Sequence, residues 1–198
     1  MRTVTGLFDT YDNARSAVAE LESLGVPSAD ISIVSNKAVH GGNETLAAEG
    51  AGTGAGIGAV AGGTGGLLAG LGIMAIPGVG PVVAAGWLVA TAVGAVAGAV
   101  AGGAAGGIVG AMINAGVPEE DANVYAEGVR RGGTMVVAKV DEAQVPDAED
   151  ILQRANRVDI AARQAAYREG GWDRFDESAA PFNTDEIEAE RRRWRSGL

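Results

Sequence analysis

Hydrophobic positions follow one rhythm at the two ends of the chain and a different one in its middle. Residues 3–8 read as a strand, and Asp9 or Thr10 can cap a helix whose Ala14, Ala17, Val18 and Leu21 recur at i, i+3, i+4 and i+7. Gly25 ends that helix and Pro27 blocks its continuation. Ile31-Ser32-Ile33-Val34-Ser35 then reads as a second strand, so residues 1–36 make one βαβ unit. Far downstream, Pro118 followed by Glu119, Glu120 and Asp121 places proline and acids where a helix N-terminus favours them. Arg130 and Arg131 sit at its opposite, negative end. Gly132 and Gly133 stop this helix, and residues 134–140 form the clearest strand of the chain. A helix over 147–156 and a short strand over 158–160 follow. The second group repeats the strand, helix, strand order of the first. Joined, the two give the ferredoxin-like order βαββαβ within an α+β class, split by an insertion and one extra helix.

The insertion has its own period. From Gly50 to Pro118 no ionisable side chain occurs, whereas both flanks are rich in Asp, Glu and Arg. Within it a glycine recurs at every fourth residue: Gly54, Gly58, Gly62, Gly66 and Gly70, then Gly94, Gly98, Gly102, Gly106 and Gly110. On a helix, residues four apart share one side, so each series makes a shallow groove where another backbone can approach closely. Ile57, Val60, Leu67 and Leu71 face away from the first series, and Val89, Val93, Val96 and Val100 from the second. Between them, Ile76-Pro77-Gly78-Val79-Gly80-Pro81 is a strong turn signal. A reversal at Pro77, Gly78, Gly80 and Pro81 sets Gly86 opposite Gly70, Gly94 opposite Gly62 and Gly98 opposite Gly58. The predicted element is a glycine-zipper helical hairpin with helices over 51–75 and 82–114. Each interior glycine costs roughly 1 kcal/mol of helix propensity, so close packing or lipid must compensate.

Helices of those lengths reach about 37 Å and 50 Å, enough for a hydrocarbon core of roughly 30 Å. A hairpin also returns the chain to the side on which it started, and Trp87 near the tip can anchor at an interface or simply pack. Against insertion, Glu44, Glu49, Glu119 and Glu120 flank the region where Lys and Arg are favoured. A soluble homo-oligomer that buries the bulky stripes between subunits accounts for the same residues. A lone monomer does not, because its apolar patch would exceed a few hundred Å².

The remaining 161–198 form a tail in which Tyr167, Trp172, Phe175 and Phe182 are spaced through polar sequence, which suits a segment that clasps a surface. Asn183 with Glu186 makes a capping box for a last helix, whose charged pattern favours a solvated face. The domain plan is therefore 1–36, first half of the split domain; 37–117, linker and hairpin; 118–160, extra helix and second half; 161–198, tail.

Composition narrows the chemistry. A net charge of -10 over 198 residues argues against nucleic acid, which needs clustered Lys and Arg. Cysteine is absent and His40 is the sole histidine, so thiolate chemistry and histidine-rich metal sites are excluded. Gly56-Ile57-Gly58-Ala59-Val60-Ala61 fits a dinucleotide-binding pattern, but no strand immediately precedes it and its glycines belong to the longer repeat. His40 and Glu44 lack a third ligand, and Gly41 and Gly42 disfavour the helix that would pair them. No catalytic, cofactor or metal residues are assigned. The N-terminus carries no apolar secretory segment, which places the chain on the cytoplasmic side, with inner-membrane association through 51–114 as the alternative to free assembly.

Gly25-Val26-Pro27, the Ile76-to-Pro81 turn, Gly116-Val117-Pro118-Glu119-Glu120 and Arg130-Arg131-Gly132-Gly133, taken in that order, resemble the bacterial general stress protein family, also described as heat-induced or low-temperature-induced. The resemblance covers residues 3 to about 140. The aromatic stretch from Tyr167 to Phe182 also looks like that of longer members. It implies a stress-associated protein, often labelled a membrane protein, and brings no catalytic residues. The expected function is that of a non-enzymatic structural protein whose partner is itself or a lipid bilayer. The alternative is a soluble, oligomeric, regulatory module that binds a small ligand on its sheet.

Overall fold

A computed structural model of the chain describes residues 1–36, 72–76, 78–89, 91 and 107–195. In these the order is β1 (Arg2–Phe8), α1 (Tyr11–Ser23), β2 (Ile31–Asn36), β3 (Gly72–Ile76), β4 (Gly80–Ala85), α2 (Gly107–Asn114), α3 (Glu119–Arg130), β5 (Thr134–Val140), α4 (Val145–Arg154), α5 (Ile160–Glu169) and α6 (Thr184–Arg195). The class is α+β. All strand pairs are antiparallel in a single sheet ordered β1-β5-β2-β4-β3. β5 lies between β1 and β2, pairing Thr134 with Phe8 on one side and with Ser35 on the other.

Side chains alternate across this sheet, and each face has its own helices. Val4, Phe8, Ile31, Ile33, Val136 and Ala138 pack with Ala14, Ala17, Val18 and Leu21 of α1 and Ala148, Ile151 and Leu152 of α4. Leu7, Val34, Val82, Ala84, Met135 and Val137 pack on the opposite face with Ile108 and Met112 of α2 and Ala122, Tyr125, Ala126 and Val129 of α3. Burial on both faces explains why β5 reads as an almost continuous apolar run, with no polar residue between Thr134 and Lys139. The helices begin and end as their sequences direct. Thr10 caps α1 by accepting from the Asn13 N–H at 3.2 Å. Gly25, at φ +96°, closes its end, where the Val26 N–H reaches the Leu21 carbonyl at 3.1 Å. Pro118 precedes α3, whose first turn holds Glu119, Glu120 and Asp121.

The structure departs from the sequence expectation in three places. First, residues 72–75 and 82–85, expected within two helices, belong to a β-hairpin of β3 and β4 that extends the sheet beyond β2. Ile33 pairs with Ala85 and Asn36 with Val82. The open edge of β2 gives Val82 and Val83 a ladder to join, and their β-branched side chains suit it. Second, the helix expected over 82–114 is not continuous. Gly86 (φ +103°) separates the end of β4 from helical residues 87–89, and Gly107 (φ +75°) opens α2 in a conformation that no right-handed helix passes through. Third, no strand forms at 158–160. Val158 donates one backbone bond to the Leu7 carbonyl at 2.8 Å, and Asp159 then caps α5 by accepting from the Ala162 N–H at 3.0 Å. The capping preference of Asp159 wins over strand extension.

Among the described residues, no helix is long and apolar enough to cross a membrane. The segment expected at the tip of a spanning hairpin is instead part of the sheet, with Val82 and Ala84 in the core beside Leu7 and Met135.

Candidate functional site

The turn of the charge-free region and the tail of the chain meet on one side of the molecule. Ile76 pairs with Gly80 across the β3–β4 turn, and the Val79 N–H bonds to the Ile76 carbonyl at 3.1 Å. Gly78 (φ +74°) and Gly80 (φ +93°) take backbone conformations that side chains disfavour. Both are also crowded from outside. A Cβ on Gly78 would lie 2.7 Å from the Asp176 carbonyl oxygen and from the Glu177 Cα. One on Gly80 would lie 3.0 Å from Pro181 Cγ. The tail therefore runs directly over the turn. It also touches the start of α2, where a Cβ on Gly107 would come 2.8 Å from Glu177 Oε1.

Each end of this strap is fixed to α3. At its start, Asn123 accepts from the Phe175 N–H at 3.2 Å while its own amide donates to the Glu119 carbonyl at 2.7 Å. Phe175 is buried in the cluster of Val79, Val109 and Met112. Asp176 accepts from the Ser178 backbone and hydroxyl at 2.8 and 2.6 Å, a local turn that also lowers its pKa. Burial pushes the pKa of Glu177 the other way. An open hollow of about 510 Å³ lies here, lined by Val109, Asn123, Arg174, Phe175, Asp176 and Glu177.

At the far end α6 docks on the C-terminus of α3. Asn183 and Glu186 form the reciprocal capping box, with N–H to carboxylate and N–H to amide oxygen bonds of 2.8 and 3.0 Å. Contrary to the solvated helix its charges suggest, α6 buries Ile187 against Gly132, whose lack of a side chain makes room for it. Ile187, Glu190 and Trp194 recur at i, i+3 and i+7, the one signal in the sequence that could have revealed this face. Glu190 receives Arg131 Nη1 at 3.3 Å and the Trp194 indole N–H at 3.2 Å. Arg131 also donates to the fully buried Glu127 at 2.6 Å and lies over the rings of Tyr167 and Phe182 at 4.2 and 5.3 Å. Arg163 bonds Asp9 at 2.8 Å and faces the Trp194 ring at 3.7 Å. Burial pushes the Tyr167 hydroxyl up to about 12, although Arg163 and Arg131 pull against it. The cleft among these groups measures about 10 Å³, room for roughly one water. Its charges hold α6 down and leave no space for a larger ligand.

The residues assigned to helix packing are distributed differently from the expectation. Gly86 does not lie along a partner helix but against β2, where a Cβ would collide with the Ile31 carbonyl and come 2.5 Å from Ser32 Oγ. Beyond it, the Leu88 N–H donates to Ser32 Oγ at 3.0 Å. Trp87 packs inward, giving its indole N–H to the Asp30 carbonyl at 3.0 Å beneath the Lys139 ammonium. Gly110 is buried in α2. Gly54, Gly58, Gly62, Gly66, Gly70, Gly94, Gly98, Gly102, Gly106 and Pro77 lie outside the described residues, as do His40, Glu44 and the dinucleotide-like pattern. Among the described residues no group of three His, Cys, Asp or Glu could hold a metal ion.

The acids at the start of α3 serve as anchors for the downstream chain. Glu120 accepts from Gln164 and Arg168, both at 2.9 Å, and these bonds lower its pKa. Glu119 meets Arg174 at 3.4 Å. No family model, no curated protein and no solved structure matches the chain. Its function must therefore be argued from the arrangement itself.

Proposed function

We propose that this is a non-enzymatic structural protein of the stress-response type, whose charge-free region joins copies of the chain to one another. The observation that carries the reading is the position of β3. Among the described residues it is the last strand of the sheet, and its sequence, Gly72-Ile73-Met74-Ala75-Ile76, is wholly apolar. Sheet edges that stay single are guarded by Lys, Pro or a bulge, and β3 has none of these residues. The glycine series on either side of the hairpin supports the same reading, since close backbone approach needs a partner. We also read β1, α1, β2, β5 and α4 as the remnant of a ferredoxin-like domain. On this view its last strand has shrunk to the Val158–Leu7 bond, and the hairpin has grown on the opposite edge.

The test is mass in detergent-free buffer. The wild type is expected as a defined oligomer by light scattering. Met74→Lys at the edge and Gly98→Leu in the glycine series should each shift it toward the monomer. Unchanged mass and unchanged thermal stability in both variants would sink the proposal. Recovery of the native protein only with membranes, resistant to carbonate extraction, would favour a lipid bilayer as the partner. The open hollow beside Asn123 and Phe175 favours a second reading, a regulatory module for a small ligand. Ligand-induced protection of Asn123 and Arg174 without change in mass would support it.

A further inference from the structure

We propose that residues 172–195 form a releasable clamp on the charge-free region, holding the β3–β4 turn and the start of α2 to the body until α6 lifts off Gly132. The inference rests on the self-association reading and supplies its regulation. Three contacts lie along one strap: Asp176 and Glu177 backbone on Gly78, Pro181 on Gly80, and the Glu177 carboxylate on Gly107. The strap thus adds a second link between the turn and the start of α2, whose strand and helix already share the core of Val82, Ala84, Ile108 and Met112. Phe175 seals the join by packing with both Val79 and Val109.

The two ends of the strap differ in kind. Near Phe175 it is held by a buried apolar ring and the Asn123 bond. Toward α6, apart from Ile187 on Gly132, the contacts centre on cations and rings: Glu190 with Arg131, Trp194 with Arg163 and edge-on with Tyr167, and Phe182, just before the helix, with Arg130 and Arg131. Among the described residues of α6 only Ile187 is fully buried, the rest being half-buried or exposed, so few contacts hold the helix and the cation–ring ones are individually modest. Between the two ends, residues 176–186 are mostly exposed. The charged end therefore opens first, and with it goes the cover over the turn.

Amide hydrogen exchange on the full chain tests this. In an Ile187→Asp, Glu190→Lys double variant, protection of Val79, Val82, Val83 and the amides of 108–112 should fall by roughly tenfold, while 4–7 and 136–138 change less than about twofold. Protection of the turn retained while α6 exchanges freely would overturn the proposal, as would an equal loss in β1 and β5. Should the double variant fail to fold, exchange of the wild type in mild denaturant decides the matter. The turn and α6 are expected to open together, below the global transition. If the turn exchanges only with β5, or opens independently of α6, the clamp is excluded. Light scattering of the double variant keeps the two ideas apart. A wild type that is monomeric, with a clamp that opens in the double variant without any gain in mass, defeats the self-association reading and leaves the clamp standing.

Discussion

Gly25 and Gly86 have nearly the same backbone conformation, φ +96° and +103°, and different surroundings. A Cβ at Gly25 meets nothing within 4 Å, whereas one at Gly86 strikes the Ile31 carbonyl. Gly25→Ala should therefore cost only the left-handed conformation, about 1 kcal/mol. Gly86→Ala adds a clash with backbone that cannot rotate away, and the total should exceed roughly 3 kcal/mol. Urea midpoints of the two variants read the difference directly, and equal losses would refute the packing described for Gly86. Glu127 offers a third case. Its carboxylate is fully buried between Arg131 at 2.6 Å and Arg130 at 3.4 Å. Glu127→Ala should cost about 3–5 kcal/mol, because two cations lose their buried partner. Tyr167 makes the effect of pH predictable. Its folded pKa, about 12, stands above the unfolded value, so its contribution is complete below pH ~10 and is lost as pH rises toward 12. Unfolding monitored from pH 9 to 12 should show stability falling over that window. Tyr167→Phe should flatten that fall.

The elements most legible in the sequence are those whose periodicity and end signals agree. α1 carries its apolar stripe between Thr10 and Gly25, α3 lies between Pro118 and Gly132, and β5 follows the Gly132-Gly133 stop. Residues 72–85 were not legible, because a short apolar run bounded by glycine and proline fits a buried strand as well as a buried helix. What decides between them is non-local: the unpaired edge of β2, some fifty residues upstream of β4. The four-residue glycine spacing pointed toward helix, and Gly110 of that series is helical, yet Gly86 and Gly107, which stand outside it, are used for positive φ. At 158–160 the apolar pair Val158 and Ile160 suggested a strand, and Asp159 between them chose the cap. Of the tail, the capping box could be read and the docking of α6 could not, since Ile187 is a single aliphatic residue among charges. Asn183→Ala removes the cap, and α6 should lose about 1 kcal/mol. Exchange of its first-turn amides should quicken while β5 remains as protected as before.

At the scale of the molecule, the sheet joins parts of the chain that lie far apart in sequence. The strands expected from residues 1–36 and 134–140 are all present, but the sheet is completed by the region expected to leave it. That is why the α+β class could be recognised from pattern while the strand order could not. Registers such as Ile33 with Ala85 depend on which edge is free, and no local signal records that. The candidate site was legible only in part. Gly78 and Gly80 announced a turn, but the strap across it depends on Asp176, Glu177 and Pro181, which carry no pattern of their own.

The position of β5 has a consequence for the order of events during synthesis. Among the described residues β1 has one strand partner, β5, and β5 also supplies the second partner of β2. A ribosome therefore delivers β1, β2 and the whole stretch from Gly50 to Pro118 before the strand that joins them exists. For that interval the least polar part of the chain is outside the tunnel with no completed sheet to receive it. Nascent-chain folding should switch on late, once about residue 140 has cleared the exit, and the protein's yield should depend on whatever shields apolar sequence until then.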